Sequence, residues 1–420
     1  MRPRARSVTK TWQTAALVCL IVAALAPLTA GHADASLAPL LSRASFTTGF
    51  DGWAAVGEAQ TSRILDAADP VLEIHAGSAL SAALPEGVSK LQLSYRDLDP
   101  YCCSATKLVE LRDSSGSPLL TLEQYSSTLV VTGASVQYVG HHADTGWHRL
   151  TLDLSLESIA IRFDDILWAS AAPASSNSLG RVAAATGQGR RLLLDDVMAF
   201  GPGAVRSDSF YYTIPDGEFQ FVDSGPYGRT ERQSGASAAR DVGYARVIGG
   251  PSPGEVHNVT WPADGLGPRF ETGLQFRIAN SFYLPDHSAL IAALDDQGNP
   301  IWAITLSRLL DAEGPQPGRS VGLFFVSGSH VERLGLTFND VAWRSIYAEA
   351  DVNAGTLAIE TSAGWEQTLS GVSFAGLASL ASGDVFPEAG VPFTFDGNDL
   401  LEPSGFGVVD YDGIYSAPLL

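Results

Sequence analysis

The chain has 420 residues, 45% of them hydrophobic and 17% charged, which supplies enough apolar material for two or three cored domains and excludes a disordered chain. Gly 42 and Pro 23 favour a turn-dense all-β architecture and stay below the levels of collagen or low-complexity chains. Lys+Arg 26 against Asp+Glu 46 gives a net charge of −20, with lysine only at Lys10, Lys90 and Lys107, so no lysine-rich surface exists for nucleic acid or anionic headgroups.

Arg2, Arg4, Arg6 and Lys10 precede the apolar stretch Ala15 to Ala26, which runs on to the small-x-small pattern Ala33-Asp34-Ala35. This reads as a secretory signal peptide over residues 1–35. Its apolar core is shorter than the roughly 20 residues of a membrane span, and no later segment approaches one. The mature chain is therefore expected to be secreted, with no transmembrane segment. Cys19 leaves with the leader, and the mature chain keeps only the adjacent Cys102 and Cys103. An oxidising compartment allows a vicinal disulfide between them, although their Cα atoms would sit at the ~3.8 Å peptide spacing, under the usual ~4.4 Å. They form either a stiff platform beside a ligand or two thiols in a loop, and in neither case a disulfide framework.

Period-two alternation predicts strands at Leu91–Tyr95, Leu108–Leu111, Leu119–Leu122, Leu150–Leu154, Ile159–Phe163 and Leu192–Val197. Asp113-Ser-Ser-Gly116, Asp295-Asp-Gln-Gly298 and Asp396-Gly-Asn398 supply turn chemistry between strands. Short helices fit only near Ser307–Ala312 and Phe374–Ala381. The two halves repeat one another. Leu111-Arg-Asp113 with Gly116-Ser-Pro118 matches Leu294-Asp-Asp296 with Gly298-Asn-Pro300; Trp147 leads to Trp168 over 21 residues and Trp343 to Trp365 over 22. Each half closes on an apolar strand with acids, Leu192 to Phe200 and Gly407 to Tyr415. The order predicts two antiparallel β-sandwiches, 44–202 and 208–420, joined by a linker at 203–207.

Asp144-Thr-Gly-Trp147-His148-Arg-Leu-Thr-Leu, the strand Ile159 to Asp165 and the closing Leu-Asp-Asp-Val resemble laminin-G-like domains, and Val408-Val-Asp410-Tyr resembles the last strand of related bacterial glucanases. The chain is thus identified as similar to the concanavalin A-like lectin/glucanase superfamily in two tandem jelly-roll copies. That resemblance implies calcium as a cofactor, with Asp195 and Asp410 at equivalent places as ligands. Oxygen donors of this kind suit calcium. In the glucanases a Glu-x-Asp-x-x-Glu strand carries catalysis. The nearest match here, Glu349-Ala-Asp351-Val-Asn353-Ala354, puts Glu349, Asp351 and Asn353 on one face but has Ala354 where the acid/base belongs, so a partner carboxylate would have to come from another strand.

Other motifs carry less. Gly250-Pro-Ser252-Pro-Gly254 matches G-x-S-x-G but reads as a proline-bound loop. His141, His142 and His148 are the only dense imidazole cluster, and Asp144-Thr-Gly146 lacks a partner motif in the second half. Sugars stack on exposed aromatic faces; Trp147 and Trp343 read as core, whereas Trp261, between the Asn258 sequon and Pro262, reads as loop-borne and a ligand-binding candidate. The expected function is a secreted, non-catalytic binding or adhesion protein for extracellular glycan. The alternatives are a polysaccharide-cleaving enzyme, hydrolase or lyase, using Glu349 and Asp351 of the second sandwich, and a structural module without a ligand.

Overall fold

Among the described residues every regular element is a strand. The computed structural model describes residues 37–420 apart from short breaks and the stretches 209–219, 224–235, 240–243, 249–256, 281–286, 310–319 and 387–407. The leader, Cys102, Cys103, His141, His142, Asp144 and the Gly250–Gly254 loop lie outside the described residues.

The first half runs β1 (Leu40–Ala44), β2 (Ala54–Ala55), β3 (Thr61–Asp66), β4 (Asp69–Ile74), β5 (Ala79–Ala83), β6 (Lys90–Asp97), β7 (Thr106–Asp113), β8 (Pro118–Tyr125), β9 (Thr128–Thr132), β10 (Val136–Gly140), β11 (His148–Asp153), β12 (Ile159–Phe163), β13 (Ile166–Ala171), β14 (Leu179–Thr186) and β15 (Leu192–Phe200). The second runs β16 (Arg206–Asp208), β17 (Gln220–Asp223), β18 (Ala236–Ala239), β19 (Tyr244–Ile248), β20 (His257–Pro262), β21 (Arg269–Asn280), β22 (Ser288–Leu294), β23 (Pro300–Arg308), β24 (Val321–Ser327), β25 (His330–Phe338), β26 (Arg344–Asp351), β27 (Thr356–Thr361), β28 (Trp365–Ser370), β29 (Ser379–Gly383) and β30 (Val408–Pro418). The first sandwich therefore begins with β1, ahead of residue 44, and Arg206, expected in the linker, already belongs to β16.

The described residues form four antiparallel sheets. Sheet I has the order β13-β12-β11-β6-β15-β4-β3, with β1 beside β15, and sheet II the order β10-β9-β8-β7-β14-β5-β2. Sheet III is β28-β27-β26-β21-β30-β19-β18, with β16 beside β30, and sheet IV is β25-β24-β23-β22-β29-β20-β17. Each strand n of the first sandwich thus has its counterpart at n + 15 in the second, position by position in both sheets. The duplication visible in the tryptophan spacing extends to every strand.

Each sandwich has its own core. Leu72, Leu91, Leu93, Leu150 and Leu194 of sheet I meet Leu80, Leu111, Leu122 and Val182 of sheet II. Phe270, Leu274, Phe276 and Ile346 of sheet III meet Trp261, Leu290, Trp302 and Leu380 of sheet IV. Burial of such side chains at about 25 cal/mol per Å² is the main stabilising term. A third, smaller cluster joins the sandwiches: Leu40, Met198 and Phe200 pack on Tyr347, Tyr415 and Ala417. The outer faces of sheets I and III therefore meet, and a bridge between Leu40 and Leu419 continues the contact through the backbone.

The repeated turns work identically. Asp113 Oδ1 accepts from the Ser115 and Ser117 amides at 2.9 and 2.8 Å, and Asp295 Oδ1 accepts from the Gln297 and Asn299 amides at 2.9 and 2.7 Å. Neither expected helix forms among the described residues. Ser307 and Arg308 close β23, and Gly376, at φ 80°, turns the chain just after Phe374 into the left-handed region, which interrupts a helix.

Candidate functional site

The junction between the sandwiches depends on a bulge. On β15 Asp195 pairs with Ser94 of β6, but Met198 pairs with Gln92, so two residues of β15 stand against one of β6. A bulge of this kind lets consecutive side chains leave on the same face. Leu192 and Leu194 before it, and Val197 and Ala199 after it, enter the core, while Asp196 at φ 45° points to the second sandwich. There the Tyr347 hydroxyl donates to Asp196 Oδ1, and Gln275 Nε2 donates to Oδ2 at 3.0 Å. Burial raises the Asp196 carboxyl pKa despite these bonds and the nearby Arg43 and Arg149; burial and then Asp196 push the Tyr347 phenol well above its ordinary value.

Beside this junction the outer face of sheet III forms an open acidic cleft of about 400 Å³. Its residues follow from register. On β21 Phe270, Leu274 and Phe276 face the core, which sends Arg269, Glu271, Gly273 and Gln275 outward. Glu271 stands directly opposite Glu349 of β26, Tyr347 opposite Glu360 of β27, and Glu360 opposite Glu366 of β28. Four adjacent strands, β21 and β26 to β28, thus present carboxylates to one groove. Like charges directly opposite one another are destabilising, and two arginines offset them. Arg43, from β1 of the first sandwich, bonds Glu271 Oε1 through Nε at 3.0 Å and Glu360 Oε2 through Nη2 at 2.9 Å. Its guanidinium also lies 3.6 Å above the Tyr347 ring centroid. Arg269 Nη2 donates to Glu349 Oε1 at 2.8 Å.

Burial opposes the charge of Arg43, but Glu271, the two tyrosines and Glu360 outweigh it and hold its pKa well above the ordinary value. Tyr415 donates to Glu271, and burial followed by that carboxylate pushes its phenol pKa well up. Gly273 lets the rings close over the strand. A Cβ there would meet Tyr347 Cδ1 at 2.6 Å and Tyr415 Cε1 at 2.7 Å.

Glu349 and Asp351 do share the outer face of β26. Asn353 does not join them, because the strand ends at Asp351, whose Oδ1 accepts from the Ala354 amide at 2.8 Å in the turn. The carboxylate that stands opposite Glu349 on a neighbouring strand is Glu271. Its signal lay in the alternation of Arg269-Phe-Glu271-Thr-Gly273-Leu-Gln275-Phe, but the pairing partner is invisible without the fold.

Trp261 is not loop-borne. It lies on β20, is 1% exposed, and donates through Nε1 to Ser416 Oγ at 2.8 Å, so it offers no ring face to a ligand. Asn258 of the sequon is also buried on that strand. Trp147 and Trp343, expected in the core, sit half-buried just before β11 and β26, and Arg277 stacks on Trp343 at 4.9 Å. His148 is buried, with Nδ1 2.9 Å from Asp164 Oδ2.

Asp195 and Asp410 do not occupy equivalent places. Leu93 faces Leu150 and Leu274 faces Ile346, so Ser94 and Gln275 correspond. The residue opposite Gln275 is Asp412, with the same bulge before Tyr415. The repeat is therefore offset by two residues from the apparent Leu-Leu-Asp and Val-Val-Asp match, and the Asp410 side chain lies outside the described residues. The strand neighbour of Asp195, Asp196, faces two arginines, a phenol and an amide, and among the described residues there is no group of three or more His, Cys, Asp or Glu side chains that could hold a metal ion.

No protein-family model matches the sequence, and no curated protein matches it. Among solved structures it is similar to a sialidase (10% identity, 40% of this chain and 19% of that chain, TM-score 0.32). It is also similar to domain 4 of a GH43 extracellular arabinanase from Geobacillus stearothermophilus in complex with arabinotriose (8% identity, 40% of this chain and 95% of that chain, TM-score 0.32). A third is the laminarinase catalytic domain from Thermotoga maritima (9% identity, 39% of this chain and 98% of that chain, TM-score 0.31). Identities and TM-scores this low attach no activity or ligand to the chain, which the strand topology describes as tandem β-sandwiches.

Proposed function

We propose that this is a secreted, non-catalytic protein that binds extracellular glycan in the acidic cleft of the second sandwich. The observation that carries the reading is the convergence of Glu271, Glu349, Glu360 and Glu366 on one open groove. Carboxylates accept hydrogen bonds from neighbouring hydroxyls, and a groove along a sheet suits an extended chain of sugars. Glu271 and Glu349 are each engaged by an arginine, an arrangement for accepting hydrogen bonds rather than for delivering a proton. Calorimetric titration of the purified protein with plant, algal and bacterial polysaccharides tests it. Glu360→Gln and Glu366→Gln should each weaken binding about tenfold or more, at roughly 1.5–3 kcal/mol per hydrogen bond to a charged group. Absence of binding to every polysaccharide would reject the reading.

One observation favours a second reading, a polysaccharide-cleaving enzyme. Residues directly opposite on antiparallel strands have Cβ atoms about 4.5–5.5 Å apart, so Glu271 and Glu349 stand as a carboxylate pair across β21 and β26. Release of reducing or unsaturated ends that disappears in Glu349→Gln would select it over binding alone.

A further inference from the structure

The duplicated fold allows one sandwich to serve as the reference for the other, and they differ at one end of the core. In the second sandwich that end is filled. Trp302 and Phe270 meet Phe374 at ring-centroid distances of 5.9 and 6.4 Å, and Leu266 of the β20–β21 connection is buried with them. Phe374 belongs to the loop between β28 and β29. The corresponding loop of the first sandwich, between β13 and β14, is Ala172-Pro-Ala-Ser-Ser-Asn-Ser178 and carries no large side chain. Leu120 stands where the second sandwich has Trp302, since each follows its turn proline by two residues in matching register. Beside the β13–β14 loop lies an open pocket of about 430 Å³.

Its floor and part of its rim are aliphatic, and Glu86, Ser155, Ser175, Asn177 and Ser178 also line it. Leu111, Leu119 and Ile159 form the buried floor, and Leu84, Val88 and Leu179 the half-buried rim. The loop is tied at the rim and does not fall into the space: Asn177 Nδ2 donates to Asp113 Oδ2 at 2.7 Å, and the Ala174 amide to the Leu119 carbonyl at 2.8 Å. The pocket is therefore pre-formed and in the size range of ligand sites, which are mostly apolar with a few polar groups at the mouth. Among the described residues no aromatic ring lines it, so a sugar gains no stacking from them. Glu86 is exposed at the mouth, and with the net charge of −20 it disfavours an anionic head.

We infer that the end of the first sandwich is a binding site for a linear aliphatic chain bearing a neutral polar head, separate from the acidic cleft. The test is fluorescence titration of the purified protein with N-phenyl-1-naphthylamine, a neutral dye that brightens in apolar sites, followed by displacement with n-decanol and with decanoate. Saturable binding of one dye per chain is expected, with decanol displacing it at lower concentration than decanoate. Val88→Phe and Leu179→Phe, which fill the space, should each weaken dye binding at least tenfold. Glu86→Lys, a change at an exposed position, should reverse the preference between decanol and decanoate. Absence of saturable dye binding overturns the inference. So does binding unchanged in a folded filled variant, and so does an unaltered preference in Glu86→Lys, which decides the matter even if neither filled variant folds.

Discussion

Arg43 is the side chain on which the junction and the cleft both depend, and Arg43→Met is the perturbation that tests this. Methionine keeps much of the length and removes the charge, so the packing of the stem is largely retained. The Arg43 side chain is 12% exposed and its partners Glu271 and Glu360 are 10% and 31% exposed. Removing one member of a buried pair costs about 3–5 kcal/mol, because the remaining charge is left in a poor solvent. The half-exposed Glu360 pair adds only about 0–1 kcal/mol. Glu271 keeps the Tyr415 hydroxyl, which places the expected loss near the lower bound, about 3 kcal/mol. Urea unfolding of wild type, Arg43→Met, Glu271→Gln and the double variant measures it. Since Arg43 lies on β1 and Glu271 on β21, the coupling falls between the sandwiches, and the unfolding transition should also broaden as they unfold less cooperatively. A loss under about 1 kcal/mol, or single-variant effects that simply add in the double variant, would refute the assignment of Arg43 as the pin of this interface.

Gly273→Ala should destabilise by about 1–3 kcal/mol, the usual range for overpacking, since its methyl meets two tyrosine rings at 2.6 and 2.7 Å; an unchanged melting temperature would show that the rings can retreat. Hydrogen bonds from Ser115, Asn177 and Ser117 lower the Asp113 pKa to about 2, below the ~3.9 of an unfolded chain. That contribution to stability is complete above the unfolded value and is lost as pH falls through about 2. Melts of wild type between pH 5 and about 2 should therefore fall more steeply than those of Asp113→Asn, and parallel curves would contradict the turn's role.

Local chemistry in the sequence was sufficient for several features. Strand identity follows from alternation because each strand needs one face in a core, and the Asp113 and Asp295 turns follow from short side chains that bond amides two and four residues ahead. The duplication showed in the tryptophan and turn spacing, and Glu349 and Asp351 could be placed on one face because period two is a local property. Other features were decided only by tertiary structure. Glu271 became the neighbour of Glu349 through strand register, which links residues 78 apart. Arg43 reached the cleft because a second sandwich covers part of that outer face, and nothing in the pattern of β1 says which polar face will be covered. Strand register moved the match of Asp195 from Asp410 to Asp412, and Trp261 moved from an expected loop to the core because β20 has sheet III packed against it. Side-chain direction is written in the alternation of one strand. Which strands lie beside it, in what register, and what packs on its outer face depend on contacts hundreds of residues apart.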